Sequence, residues 1–370
     1  MNPVDFATLP CGRGLTIGLA TLNNEKALNA LTPAMIRALD AQLAAWQTDP
    51  AIACVVLKGA GEKAFCAGGD VRAMRAALID EPHPAPHPAA QTFFSEEYAL
   101  DYRIHRFGKP LIVWGHGIVM GGGLGLLAGA SHRVLTGESR IAMPEITIGL
   151  YPDVGGSWFL PRMPARIGLF LALTGAPLNA ADALRVGLGD HLLPADAFDA
   201  LLDRLTSHDW PTDNRDRANN VSRLLDAMEH HALPASQVER HFDAIRHLMH
   251  QGSLADVVRA FEQAAFDDPW LTRARDTLLS GCPTTAALSW EIDQRAARMS
   301  LADVFRMELD LSVNVCAGPE FIEGVRALLV DKDRQPKWSR AWHELDRDWI
   351  DGHFVSPWTA DEHPLAKLGN

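Results

Sequence analysis

Apolar positions in the first half of the chain gather into short unbroken runs, LTIGLAT at 15–21 and AIACVVLK at 51–58, bounded by glycines and polar turns. Runs this short and this apolar predict buried strands. Between them Thr32 precedes Pro33, an N-cap followed by proline at the first helical position. Met35, Leu39, Leu43 and Trp46 then fall on one face at helical spacing. Strand, helix, strand in this order predicts a parallel α/β unit.

The pattern continues through residues 59–74, where an apolar stretch runs into Ala67-Gly68-Gly69-Asp70 and a helix follows. A helix start leaves backbone N–H groups without intrahelical partners, and such groups attract anions or carbonyl oxygens. An ordinary tight turn gives the same glycines, and this stretch alone favours the turn. Residues 80–90, DEPHPAPHPAA, read as an exposed loop, with His83 and His87 expected to be solvated rather than metal ligands. The segment after it reads as a helix in which Glu97 is expected at the surface.

Lys109 to Val119 reads as one apolar strand. Gly121-Gly122-Gly123 then opens a helical stretch, an arrangement that costs up to about 1 kcal/mol per glycine relative to alanine inside a helix. It is suited to a place where a ligand touches main chain, or to close helix–sheet packing. Short strands are predicted at 132–136 and 139–143, followed by Glu145 and Asp153 in Gly/Pro-rich loops. Pro152 and the glycines prevent these two acids from sharing one helix face. Beside the apolar Met143, Ile148, Leu150, Trp158 and Phe159, their pKa values should rise, which suits acid–base work. Helix capping is the plainer reading for each acid taken singly.

From about residue 195 strand signals nearly vanish and amphipathic helices follow one another. The expected division is an α/β core over 1–205 and a mainly helical C-terminal domain over 206–370, with His208–Arg217 as the linker candidate.

Composition narrows the function. With 370 residues the chain can build a sizeable core. A net charge of −12 disfavours nucleic acid as partner, since phosphate binding needs concentrated basic surface. Cys11, Cys54, Cys66, Cys282 and Cys316 show no CxxC spacing, so neither a disulfide framework nor a zinc site is expected, and no metal is expected elsewhere. The first residues lack a basic segment followed by an apolar one, and no run of eighteen apolar residues occurs, so neither a secretory signal nor a membrane span is expected. A cytoplasmic enzyme is the resulting expectation.

One rival motif is Gly123-Leu-Gly125-Leu-Leu-Ala128, which fits G-x-G-x-x-A with Glu145 twenty residues past Gly125. It sits mid-chain, after strand–helix units have already formed, and Glu145 does not end a visible second strand. A nicotinamide enzyme is therefore the weaker reading. No G-x-S-x-G elbow occurs around Ser157, and no histidine lies near Cys66 in sequence, so Cys66 reads as a structural thiol.

With these residues in view, the chain resembles the enoyl-CoA hydratase/isomerase (crotonase) superfamily, and within it an acyl-CoA hydrolase branch. The matching stretches are KAFCAGGDVR (63–72), EEY (96–98), HGIVMGGGLGL (116–126), MPEITIGLYPDVGGSWFLPR (143–162), GCPTTAALS (281–289) and EFIEGVRALLVDKDRQPKW (320–338), covering nearly the whole chain. The resemblance implies a crotonase-like spiral of strand–strand–helix repeats followed by helices. It implies an oxyanion hole from the Gly69 and Gly122 amides, catalytic roles for Glu145 and Asp153, and substrate contacts at Glu97, Gly122 and Ala67, the last beside the CoA adenine. The substrate would be a short 3-hydroxyacyl-CoA, with no cofactor beyond that CoA. Glu145 would activate water or attack the thioester itself, and Asp153 would orient water or the substrate hydroxyl, or hand a proton to the thiolate. Hydratases of the superfamily carry a glutamate where this chain has Gly125, and that absence favours hydrolysis over hydration; another lyase or isomerase of the superfamily is the alternative. Superfamily members commonly form trimers or paired trimers, so a homo-oligomer is a further expected partner state, one that the helical C-terminal part could block.

Overall fold

The computed structural model describes residues 2–369 except Pro82, Pro84 and His231. Two compact units share the chain, each assembled from three stretches. The first takes Met1–Gly69, Leu100–Ile141 and Leu178–Glu239, and the second takes Asp70–Ala99, Ala142–Pro177 and Arg240–Asn370.

A six-stranded sheet forms the first unit: β1 (Val4–Pro10), β2 (Thr16–Leu22), β3 (Ile52–Gly59), β5 (Leu111–Gly115), β7 (His132–Thr136) and β9 (His191–Leu193), in that spatial order. Every pairing is parallel except β1 with β2. β3 and β5 are almost wholly buried, as strands of a covered parallel sheet must be. A smaller sheet has the order β4 (Ala64–Cys66), β6 (Ile118–Met120), β8 (Arg140–Ala142). The α/β class expected from the sequence is the one observed. The helix Pro33–Thr48 starts as expected, with the Met35 N–H donating to Thr32 Oγ1 at 3.3 Å, and it buries Met35, Leu39, Leu43 and Trp46.

Two expectations are corrected here. Residues 109–119 are not one strand. The chain breaks at His116-Gly117, where Gly117 takes φ +56 and a Cβ would lie 2.2 Å from the Lys63 carbonyl oxygen, so β5 and β6 enter different sheets. Nor is His208–Arg217 a loose linker. Trp210 is fully buried in the core with Val56, Trp114 and Leu201, and its indole N–H donates to the Leu205 carbonyl at 2.9 Å. Arg217 donates to the carbonyls of Pro211 and Ile52 at 2.8 and 3.3 Å.

The second unit is mostly helical, with Val71–Asp80, Ile167–Thr174, Leu254–Gln263, Pro269–Ser280, Pro283–Ala296 and Leu301–Ala317 among its helices. His83 is exposed, but His87 is not solvated as expected. Its Nδ1 accepts the Ala89 N–H at 3.1 Å, leaving Nε2–H to donate to the Glu81 carbonyl at 2.8 Å, and the ring is buried. Among the described residues no helix is long and apolar enough to cross a membrane.

Candidate active site

In the first unit, the loops after β4 and β6 pack glycine against glycine. Gly68 takes φ +106, and a Cβ there would stand 3.2 Å from the Met120 carbonyl oxygen and 3.6 Å from the Gly122 nitrogen. A Cβ on Gly123 would come within 2.3 Å of the Cys66 carbonyl oxygen, so these loops close only without side chains. Gly121 at φ +49 turns the chain into the helix Gly122–Ala128. Among the described residues neither the Gly69 nor the Gly122 N–H has an acceptor. Gly122 is buried, whereas Ala67 and Gly69 are half-buried. Cys66 is a buried thiol whose Sγ accepts the Gly68 N–H at 3.5 Å, in line with a structural role.

The acids belong to the second unit. Pro144 ends the approach from β8, and Glu145 begins a 3-10 turn over Glu145–Ile148 that closes on Gly149 in the left-handed region. Glu145 is buried, its Oε2 has no partner among the described residues, and burial followed by the Asp153 charge holds its pKa well above the usual carboxylate range. Asp153 is buried too. The Tyr98 hydroxyl donates to its Oδ2 at 2.7 Å, and burial lifts its pKa to about 6 against the pull of that bond. Neither acid caps a helix with its side chain. Met143 and Leu150 of the apolar wall are buried, while Ile148, Trp158 and Phe159 are half-buried.

Glu97 overturns its surface expectation. It is 2% exposed, its Oε1 is unpartnered among the described residues, and burial with the nearby Asp153 and Glu308 charges raises its pKa strongly. The structure thus brings Glu97, Asp153 and Glu145 into one acidic cluster in the second unit, while Ala67, Gly69 and Gly122 belong to the glycine loops of the first.

Sequence reasoning missed the support beneath Asp153. Val154 and Gly155 both have positive φ, +50 and +85, and the first is costly for a β-branched residue. Glu308 on the helix Leu301–Ala317 holds that turn by accepting the Gly155 N–H at 2.8 Å and the Ser157 N–H at 2.9 Å. Burial lifts the Glu308 pKa to about 8, although those N–H bonds lower it. One turn along, the Ser312 Oγ lies 2.6 Å from the Tyr98 hydroxyl and 2.9 Å from that of Tyr151. The available signal was an acid and a serine four apart on the apolar stripe of Val304, Phe305, Leu309 and Leu311.

The dinucleotide reading fails on context. Gly123 and Gly125 follow a three-residue strand of the small sheet, and Glu145 opens a 3-10 turn rather than ending a strand. Among the described residues no group of three or more His, Cys, Asp or Glu side chains could hold a metal.

The first unit thus carries glycine loops with main-chain N–H groups free of acceptors among the described residues, and the second carries buried acids of raised pKa. The chain belongs to the enoyl-CoA hydratase/isomerase family, whose model matches residues 17–354. It is 41% identical to the mitochondrial 3-hydroxyisobutyryl-CoA hydrolase of Danio rerio over 325 residues, 87% of this chain and 82% of that one. It is 35% identical to the Homo sapiens protein of the same name over 349 residues, 93% and 87% of the two chains. Among solved structures it is similar to a carnitinyl-CoA dehydratase from Mycobacterium thermoresistibile (TM-score 0.86, 33% identity, 100% of both chains). It is also similar to an enoyl-CoA hydratase from Rhodobacter sphaeroides (TM-score 0.83, 32% identity, 96% and 98%), and the fold is crotonase-like. The mitochondrial relatives do not fit a plain cytoplasmic location.

Proposed function

We propose that the chain hydrolyses 3-hydroxyisobutyryl-CoA to 3-hydroxyisobutyrate and CoA, a step of valine breakdown, with water as co-substrate and no separate cofactor. The observation that carries this reading is the buried acid pair: Glu145 has an unpartnered oxygen beside Asp153, in a chain with Gly125 where hydratases place their second glutamate. The hydrolase relatives, alike over most of their length, support the same choice.

In this reading the thioester oxygen accepts the Gly69 and Gly122 N–H bonds as it gains charge. One such donor is worth about 3–4 kcal/mol of barrier. Glu145 acts as general base toward water or as nucleophile giving a mixed anhydride. Asp153 orients water or the substrate hydroxyl, or protonates the departing thiolate. Glu97, Gly122 and Ala67 contact substrate, Ala67 on the adenine side. Single turnover in heavy-oxygen water separates the roles of Glu145, because label retained in that side chain requires the anhydride.

The test is thiol release across a panel of acyl-CoA esters. Rapid release from 3-hydroxyisobutyryl-CoA, and much slower release from isobutyryl-CoA, is expected because a pocket built for the hydroxyl is left unpaired by the deoxy ester. Equal rates on the two would remove the hydroxyl preference, and no release from any ester would remove the hydrolase. The second reading, a hydratase or isomerase acting on another short acyl-CoA, is favoured by the likeness to a carnitinyl-CoA dehydratase and an enoyl-CoA hydratase of known structure. It predicts hydration of crotonyl-CoA without thiol release.

A further inference from the structure

The support beneath Asp153 is a chain of hydroxyls whose protons can be counted. Four contacts run in series: Asp153 Oδ2 to the Tyr98 hydroxyl at 2.7 Å, Tyr98 to Ser312 Oγ at 2.6 Å, Ser312 to the Tyr151 hydroxyl at 2.9 Å, and Tyr151 to the Glu308 carbonyl oxygen at 2.6 Å. Tyr98, Tyr151, Asp153, Glu308 and Ser312 are all buried.

Each link needs one proton, and the three hydroxyls supply three. If Asp153 is ionised, Tyr98 donates to it and Tyr151 donates to the carbonyl. Ser312 then faces two oxygens whose protons are committed and can fill only one of those contacts. If Asp153 is protonated, every link is filled in one direction: Asp153 donates to Tyr98, Tyr98 to Ser312, Ser312 to Tyr151, and Tyr151 to the carbonyl. An unfilled oxygen–oxygen contact in a buried site is costly, because no water replaces the missing proton.

We propose that the Tyr98–Ser312–Tyr151 chain favours the protonated form of Asp153, making Ser312 and Tyr151 positioning residues that set the proton state of this carboxyl. The groups facing it are Glu97 and Tyr98 from the helix Pro88–His105, Glu145 from the preceding turn, Tyr151 from its own loop, and Glu308 and Cys316 from the helix Leu301–Ala317. The three glutamates, when charged, act in the same sense by like-charge repulsion, whereas the Tyr98 hydroxyl bond acts against it. Burial independently raises the Asp153 pKa. A carboxyl that holds its proton above the ordinary aspartate range can donate it, so the inference rests on the proposed hydrolysis only for its use in turnover, where it favours the proton-donor role over water orientation.

The experiment is an infrared pH titration of the intact protein without substrate, following the protonated-carboxyl band that disappears in Asp153→Asn. Removing either end of the crowded serine contacts leaves enough protons for an ionised Asp153. Ser312→Ala and Tyr151→Phe should therefore each lower its midpoint by about half a unit to one unit. Tyr98→Phe removes the donor that stabilises the ionised form and should raise the midpoint. Ser312→Thr keeps the hydroxyl and should restore the wild-type value. Loosened packing alone lets water in and moves all three midpoints toward the ordinary aspartate value. Shifts of one sign in all three variants, or unchanged midpoints in Ser312→Ala and Tyr151→Phe, overturn the proposal, and either of those two variants suffices if the other fails to fold. Because no thioester is present, these outcomes are independent of whether thiol release is observed.

Discussion

The loops at Gly68–Gly69 and Gly121–Gly123 present only main chain, whereas the cluster of Glu97, Glu145 and Asp153 presents carboxyl side chains. Substitution by anything but proline leaves the backbone N–H in place and can only displace it by crowding, so function and stability fall together. A buried acid, by contrast, can be exchanged for its amide with the shape kept, so function and stability come apart. The two regions should therefore fail in different ways.

The largest separation is expected for Glu145→Gln, which should slow hydrolysis by about 10²–10⁴-fold, the usual worth of a general base. Binding of the CoA ester, measured by calorimetry, should change little; near-normal turnover would move the chemistry away from Glu145. On the main-chain side, Gly123→Ala places a methyl 2.3 Å from the Cys66 carbonyl oxygen. It should cost about 1–3 kcal/mol in denaturant unfolding, with turnover lost in parallel. An active, fully stable Gly123→Ala would show that the two loops need not be in contact.

A smaller effect separates the regions by pH. Asp153 and Glu308 have folded pKa values of about 6 and about 8, above their ordinary 3.8 and 4.5. Raised carboxyls mean that the folded state binds more protons than the unfolded one. Their contribution is fully present below about pH 4 and is lost as pH rises through 6 and then 8. Urea unfolding at pH 5 and pH 8.5 should show stability falling toward the alkaline side by up to about 5 kcal/mol, most of it from Glu308. Asp153→Asn should flatten that slope while Gly123→Ala leaves it unchanged. An identical slope in Asp153→Asn would mean that the carboxyl ionises as it does in the unfolded chain.

The two regions also differ in how far the sequence reveals them. Glycine adjacency and apolar runs are local, so the turn at 67–70, the triple glycine, β2, β3 and the Thr32 cap can be read directly from residue order. β1 could not be, because an edge strand with most of its residues exposed has no apolar run to mark it. Glu145 and Asp153 stood out by their Gly/Pro loops and the resemblance. Glu97 looked like a surface acid beside Glu96, since only tertiary packing decides which of two neighbouring glutamates is covered. Glu308 lies 153 residues beyond the Gly155 amide it binds, a pairing that no local pattern encodes.

Trp210 has a practical consequence for anyone shortening the gene. A product ending at codon 205 keeps every strand of the six-stranded sheet, yet it lacks the indole that fills the space beside Val56 and Trp114, and the Arg217 guanidinium that reaches the Ile52 carbonyl. Such a fragment would carry an open apolar socket on its own sheet and should go to inclusion bodies. Extending it through the helix Asn214–Asp226 restores the plug.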